Sequence, residues 1–128
     1  MNSKTNQVRM KLLILTIPFL LGCLELNAQS DYYERQMKSH QSNAEYYVKQ
    51  AQGYDKDVEY YMREASSHLK DAEYYQRQGK YDQVQSALRK AQNAIDKADT
   101  YKRKADNARS NAKSYMQRAE NTLRNIRK

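Results

Sequence analysis

Residues 44–75 read AEYYVKQAQGYDKDVEYYMREASSHLKDAEYY, and a Tyr-Tyr pair recurs in this stretch every fourteen residues. One more copy of the phrase precedes it, so the first tyrosines of the four pairs are Tyr32, Tyr46, Tyr60 and Tyr74. Fourteen residues are two heptads, and a heptad repeat returns to the same face of a helix wound at about 3.5 residues per turn. The spacing therefore predicts a coiled-coil helix.

Two heptad columns form the predicted seam of this helix. The first column holds mainly small residues: Met37, Ala44, Ala51, Val58, Ala65 and Ala72. The second column holds aromatic rings: Tyr33, His40, Tyr47, Tyr54, Tyr61, His68 and Tyr75. Because Gly53 falls outside both columns, we interpret it as an outward-facing glycine in a continuous helix, at a cost of about 1 kcal/mol relative to Ala.

The apolar columns change phase after Gly79. They continue as Val84, Ala91, Ala98, Ala105, Ala112, Ala119 and Ile126, and as Ala87, Ala94, Tyr101, Ala108 and Tyr115. A glycine just past a helix end and Asp82 as the next N-cap predict a turn here. We therefore predict an all-α fold, a long antiparallel two-helix hairpin with an alanine-rich, coiled-coil-like seam. Its helices span about 31–78 and 82–127, each about 70 Å long, and we expect it to assemble into an oligomeric bundle.

Residues 1–28 have the features of a signal peptide, which leaves 29–128 as the hairpin domain. Met10, a plausible true start, and Lys11 precede an apolar run from 12 to 24, and the small residue Ala28 stands before Gln29. An apolar run this short falls below the roughly 20 residues that a membrane-spanning helix needs. We therefore expect cleavage after Ala28 and export to the periplasm or the medium.

Leu20-Leu21-Gly22-Cys23 resembles a bacterial lipobox. The resemblance implies an alternative to ordinary cleavage, in which Cys23 becomes the lipidated first residue and anchors the protein to the outer membrane. Membrane attachment is expected only in that case. No cysteine follows Cys23, so no disulfide is expected in the fold.

Catalytic, metal and cofactor sites are not expected. His40 and His68 are 28 residues apart on one helix, or about 42 Å, so they cannot share a metal ion within a chain. The carboxylates are spaced for solvated i,i+4 pairs with Lys and Arg. We predict that the protein is not an enzyme.

Charge divides the chain into two unlike halves. Residues 29–78 hold 7 basic and 9 acidic residues, whereas residues 79–128 hold 13 and 5. We expect the excess cations of the second helix to bind an anionic surface, such as lipid phosphates, envelope polymers or acidic proteins. They are Lys102, Arg103, Lys104, Arg109, Lys113, Arg118, Arg124, Arg127 and Lys128. Because the chain is expected to be exported, nucleic acid is not an expected partner. The alternative is a solvated basic face that only maintains solubility.

The two tyrosines of each pair have different predicted roles. The second lies on the seam, whereas the first points about 130° away, toward solvent. Between Tyr32, Tyr46, Tyr60 and Tyr74 the same column carries Ser39, Gly53 and Ser67. An exposed aromatic row of this kind is typical of protein interfaces. We therefore predict that the four outward tyrosines form an interaction surface.

Residues 72–91 resemble the turn of a tetratricopeptide repeat. The matching positions are Ala72, Tyr75, Gly79, Tyr81, Val84, Leu88 and Ala91. The match covers a single turn, without the family's period of about 34 residues or its closing proline. It implies a tetratricopeptide-like adaptor as one alternative function.

A small, basic, exported chain with long helical hairpins is similar to the Skp family of trimeric periplasmic chaperones. That resemblance is architectural, because the strands of the family's trimer body have no counterpart here. It implies a holdase-type chaperone as another alternative. The main prediction is a structural or interaction protein of the bacterial envelope without catalytic activity. We expect it to self-associate and to bind other envelope proteins or anionic polymers and lipids.

Overall fold

A computed structural model of the protein describes the backbone of residues 24–127 and the side chains of residues 28–127. Most of the predicted signal peptide, including Cys23, lies outside the described residues, as does Lys128. Within the described residues, no helix is long and apolar enough to cross a membrane.

The described chain forms two helices, α1 at Leu24–Arg77 and α2 at Tyr81–Arg127. The predicted all-α antiparallel hairpin is confirmed, whereas an oligomeric bundle stays a prediction. The predicted start of the first helix at residue 31 is wrong, because residues 24–30 contain no glycine or proline that would end the helix. Asp82 is not the N-cap of α2. It lies in the first turn, where a carboxylate interacts favourably with the helix dipole.

The turn between the helices is closed by a Schellman motif. Gly79 has a φ of 71°, a left-handed conformation that glycine adopts without a Cβ penalty. The Lys80 amide donates to the Tyr75 carbonyl at 3.0 Å, and the Gly79 amide donates to the Gln76 carbonyl at 3.1 Å. These two bonds satisfy carbonyls that the end of α1 would otherwise leave free. Gly53, by contrast, lies inside α1 and is exposed, as predicted.

The described chain divides into two compact units. The second unit, Glu45–Lys113, contains the turn and the helix segments on both sides of it. Its predicted alanine columns are buried: Ala51, Ala65, Ala72, Ala87, Ala91, Ala94, Ala98, Ala105, Ala108 and Ala112. Alanine allows the two backbones to approach closely, and the fully buried apolar residues of this unit are alanines.

Tyrosine rings fill the rest of the seam in the second unit. The Tyr61 and Tyr101 rings stack with centroids 5.5 Å apart, and the Tyr54 ring lies 6.1 Å from that of Tyr101. Lys97 lies over the Tyr61 ring at 5.4 Å, and Lys104 lies over Tyr101 at 5.0 Å. The half-buried rings therefore contact each other and the alkyl-ammonium chains of α2.

The first unit comprises residues up to Ala44 together with Ser114 onward. Met37, 1% exposed, and Leu123, 9% exposed, form its core cluster, with Ile126 packed against them. The alanine column continues one heptad before Met37 to Ser30, which is buried. Thr122 is also buried, and its hydroxyl donates to the Arg118 carbonyl at 2.9 Å. Leu123, Ser30 and Thr122 were not among the predicted seam residues.

Candidate interaction surface

The outward tyrosines are exposed, as the heptad predicts. In the second unit Tyr46 is 55%, Tyr60 50% and Tyr74 53% exposed, and the positions between them, Gly53 and Ser67, are exposed too. In the first unit Tyr32 is 52% exposed. We call Tyr32, Tyr46, Tyr60 and Tyr74 the tyrosine ladder.

Each ladder ring packs edge to face against the second tyrosine of its pair. The centroid distances are 5.2 Å for Tyr46 and Tyr47, 5.1 Å for Tyr60 and Tyr61, and 5.6 Å for Tyr74 and its neighbour. Edge-to-face packing is a favourable arrangement of aromatic rings. The seam tyrosine thus fixes the ladder tyrosine beside it and leaves about half of that ring open.

Hydroxyl contacts restrain the ladder further. Gln50 Nε2 donates to the Tyr46 hydroxyl at 3.0 Å, and the Tyr60 hydroxyl donates to Glu64 Oε1 at 2.9 Å. In the first unit Gln36 Nε2 donates to the Tyr32 hydroxyl at 2.7 Å. Because Glu64 accepts this hydrogen bond, the pKa of the Tyr60 phenol is raised above its ordinary value. The negative charge of the Glu64 carboxylate adds to the effect. Sequence reasoning missed these bonds, although Gln or Glu follows every ladder tyrosine by four residues.

Two columns of opposite character border the ladder in the second unit. One column is cationic: Lys49, Lys56, Arg63 and Lys70. The other holds carboxylates and an amide: Gln50, Asp57, Glu64 and Asp71. Within the described part of the chain, the four cations make no ion pair. The ladder therefore lies between a positive edge and a mainly negative one.

The predicted anion-binding residues of the second unit fall into two groups. Arg109 donates to Asp55 at 2.8 Å and to Asp106 at 3.0 Å, and these hydrogen bonds raise the pKa of its guanidinium. Lys104 lies over tyrosine rings, and Arg103 approaches Asp99 only at 4.0 Å. Two further cations, Lys102 and Lys113, form no ion pair with any described residue, so they are the most available for an external anion.

In the first unit, Arg118 lies 4.8 Å from the centre of the Tyr115 ring. Arg124 and Arg127 are exposed in the last turn of α2. Neither forms an ion pair among the residues that the structure describes. The remaining predicted cation, Lys128, is not described.

Large aliphatic side chains lie outside the alanine seam, a feature that the sequence reasoning did not assign. In the second unit Met62 is 50%, Leu69 43%, Leu88 46% and Ile95 37% exposed. We call these four residues the aliphatic strip. The signal was present in the sequence, because Met62 and Leu69 are one heptad apart, as are Leu88 and Ile95.

No described group of three or more His, Cys, Asp or Glu side chains could hold a metal ion. His40 instead faces the Tyr115 ring, with centroids 6.2 Å apart, and its buried Nδ1 has no hydrogen-bond partner among the residues that the structure describes. His68 Nδ1 lies 3.9 Å from an Asp71 carboxylate oxygen.

At the turn, two positions of the tetratricopeptide-like match, Tyr81 and Leu88, are exposed.

No protein-family model, curated protein or solved structure matches the chain.

Proposed function

We propose that this chain is an exported structural or interaction protein of the bacterial envelope, and that it acts through contacts with proteins and anionic surfaces rather than through catalysis. The observation that carries this proposal is the tyrosine ladder. Tyr46, Tyr60 and Tyr74 each leave about half of their surface open to solvent. They repeat about every 21 Å along one helix and are separated by small residues. Rigid, half-open aromatic rings are typical of interface cores.

We propose that the ladder of a second copy is the first partner of this surface. When two α1 helices pair in parallel about a two-fold axis, the cationic column of each helix meets the acidic column of the other. The cations Lys49, Lys56 and Arg63 would then face Asp57 and other members of the acidic column. An antiparallel pair would place cations against cations. Charge therefore favours the parallel pair, mainly by suppressing the wrong orientation.

Sedimentation equilibrium tests the ladder. We expect the wild-type protein to associate, and the triple variant Tyr46→Ser, Tyr60→Ser, Tyr74→Ser to associate at least about tenfold more weakly, since buried aromatic anchors carry much of an interface's energy. Tyr81→Ser is the matched control, because Tyr81 is 71% exposed and lies off the ladder. Equal association constants for the triple variant and the wild type would reject the proposal.

The anionic-surface contact rests on cations that the fold leaves unpaired. Lys113 is exposed, lacks an ion pair among the described residues and lies outside the tyrosine ladder and its borders. Co-sedimentation with vesicles containing anionic phospholipid should fall in Lys113→Glu and should weaken as salt rises. Lys90→Glu makes the same change of charge at an exposed position of α2 outside the predicted cations and controls for net charge. If both variants lose binding equally, the contact is not specific to the predicted cations.

A holdase-type chaperone is the second candidate, favoured by the exposed aliphatic strip. Exposed aliphatic side chains can bind unfolded chains. The strip residues Leu69 and Leu88 would then be needed to suppress aggregation of an unfolded outer-membrane protein. No protection at molar excess of the chain would eliminate this candidate.

A further inference from the structure

The aliphatic strip reverses the usual placement of large and small apolar residues. In the second unit alanine occupies the interior, while Met62, Leu69, Leu88 and Ile95 lie outside it, each 37–50% exposed. Large aliphatic side chains are normally among the most buried residues of a fold. A surface that collects them in one unit indicates that something covers it.

An observed ion pair shows that the two halves of the strip belong to one flank of the hairpin. Asp55 on α1 contacts Arg109 on α2 at 2.8 Å. Met62 and Leu69 follow Asp55 by one and two heptads, and Ile95 and Leu88 precede Arg109 by two and three. Because heptad steps keep a side chain on the same face of a coiled helix, both pairs lie on the flank that this ion pair marks.

The flank is layered. The Tyr54 and Tyr61 rings both lie beside the Tyr101 ring, and this antiparallel register places Leu69 level with Leu88 and Met62 level with Ile95. One heptad farther from the turn, Asp55 lies level with Lys102. The Asp55 carboxylate already accepts from Arg109, whereas Lys102 has no ion pair within the described chain. The strip is thus an aliphatic patch that ends in a charged layer.

We propose that the aliphatic strip is the docking site for the strip of a second copy, with both turns at the same end and a two-fold axis parallel to the helices. Leu69 and Leu88 of one copy then meet Leu88 and Leu69 of the other. Asp55 of each copy faces Lys102 of the other. The second units of the two copies form a bundle of four helices with alanine seams inside each hairpin and an aliphatic core between them.

Charge selects this orientation. With the turns at opposite ends and the aliphatic layers still in contact, the Asp55 and Lys102 layer would lie against Gln76 and Tyr81, which carry no charge. Only the arrangement with both turns at the same end brings the Lys102 ammonium to a carboxylate, that of Asp55, which it would share with Arg109. Complementary charges of this kind set orientation more than they add affinity.

The strip and the ladder occupy different flanks, so they make separate contacts. Two two-fold contacts on different flanks of one molecule generate a row of hairpins rather than a closed dimer. Removing either surface would leave dimers held by the other, and removing both would leave a monomer. This distinction allows each surface to be tested alone.

Sedimentation equilibrium and circular dichroism test the strip. The variant Leu69→Glu, Leu88→Glu should keep the helix content of the wild type, since both side chains are already 43–46% exposed. Its strip contact should weaken by about a hundredfold or more, because four carboxylates would then meet in one layer. Asn93→Glu, Asn107→Glu adds the same charge at exposed positions of another column and should behave as wild type.

Combination with the ladder variant separates the two proposals. In the Tyr46→Ser, Tyr60→Ser, Tyr74→Ser background we expect a dimer that Leu69→Glu, Leu88→Glu converts to a monomer. A monomer in the ladder background alone would overturn the strip proposal and leave the ladder standing. Dimers that persist after the strip substitution in that background would also overturn it.

Orientation is tested with a spin label at Lys80→Cys in a Cys23→Ser, ladder-substituted background. The same-end dimer places the two labels within about 30 Å, since neighbouring helices pack about 10 Å apart. The opposite-end dimer separates them by about 45 Å along the helices. A double electron–electron resonance distance near the longer value would overturn the same-end arrangement.

Discussion

The two glycines of the hairpin should respond in opposite directions to the same substitution. A Cβ added at Gly53 or at Gly79 would meet no atom within 4 Å, so steric contacts do not decide either outcome. Backbone conformation does. Gly53 is an exposed residue inside α1, whereas Gly79 has a φ of 71°.

The expected magnitudes follow from these conformations. Gly53→Ala should raise the free energy of unfolding by about 0.8–1.0 kcal/mol, the difference in helix propensity between the two residues. Gly79→Ala should lower it by about 1–2 kcal/mol, the cost of a left-handed conformation for a residue with a Cβ. For a domain of this size, 1 kcal/mol corresponds to a Tm shift of about 4–8 °C.

Thermal unfolding followed by circular dichroism measures both variants against the wild type. All three proteins should be compared at one concentration, because self-association makes Tm depend on it. Gly79→Asn is a useful control, since asparagine tolerates the left-handed region better than alanine. A loss of stability in Gly53→Ala would refute the assignment of position 53 as an unconstrained helix position.

Three further predictions concern the seam and its edges. Ala105→Leu should destabilise the hairpin by about 1–3 kcal/mol in chemical denaturation, because Ala105 is 0% exposed and the seam has no room for a larger side chain. Asp55→Asn should cost only about 0.2–1 kcal/mol, since its ion pair with Arg109 is about half exposed, and an effect above 2 kcal/mol would contradict that expectation. Glu64→Ala should lower the pKa of Tyr60 toward its ordinary value in an NMR titration. Because the folded pKa is raised, the small stabilisation from this bond is present below about pH 10 and is lost as pH rises through the folded pKa.

The seam could be predicted from the sequence because one period dominates it. Alanines such as Ala51 and Ala98 recur every seven residues, and a strict heptad leaves few alternatives to a coiled pair of helices. The turn could be predicted too, because the phase of the apolar columns changes at Gly79. These signals are local and periodic, so they do not depend on knowing the tertiary structure.

The helix start and the ends of the seam required the structure. Residues 24–30 contain no glycine or proline that would end a helix. Composition alone therefore does not show where the predicted signal peptide ends and α1 begins. Ser30 and Thr122 continue the buried columns although they are polar. For Thr122 the reason is visible, because its hydroxyl donates to the Arg118 carbonyl of its own helix.

The candidate surfaces were predictable to different extents. The tyrosine ladder follows from the heptad alone, whereas the engagement of Arg109 with Asp55 depends on how the two helices are aligned. The aliphatic strip depends on that alignment as well, since Met62 and Ile95 lie on different helices. A contact between the two helices cannot be predicted from the heptad period of either helix alone.

Photo-cross-linking at the ladder tests the central claim most directly. The purified protein would carry a photoreactive phenylalanine derivative in place of Tyr60, or in place of Gln85 as an exposed control on α2. We predict a cross-linked dimer on irradiation at position 60 and little or none at position 85. No dimer at position 60, or equal yields at the two positions, would contradict the claim that the ladder is a protein contact surface.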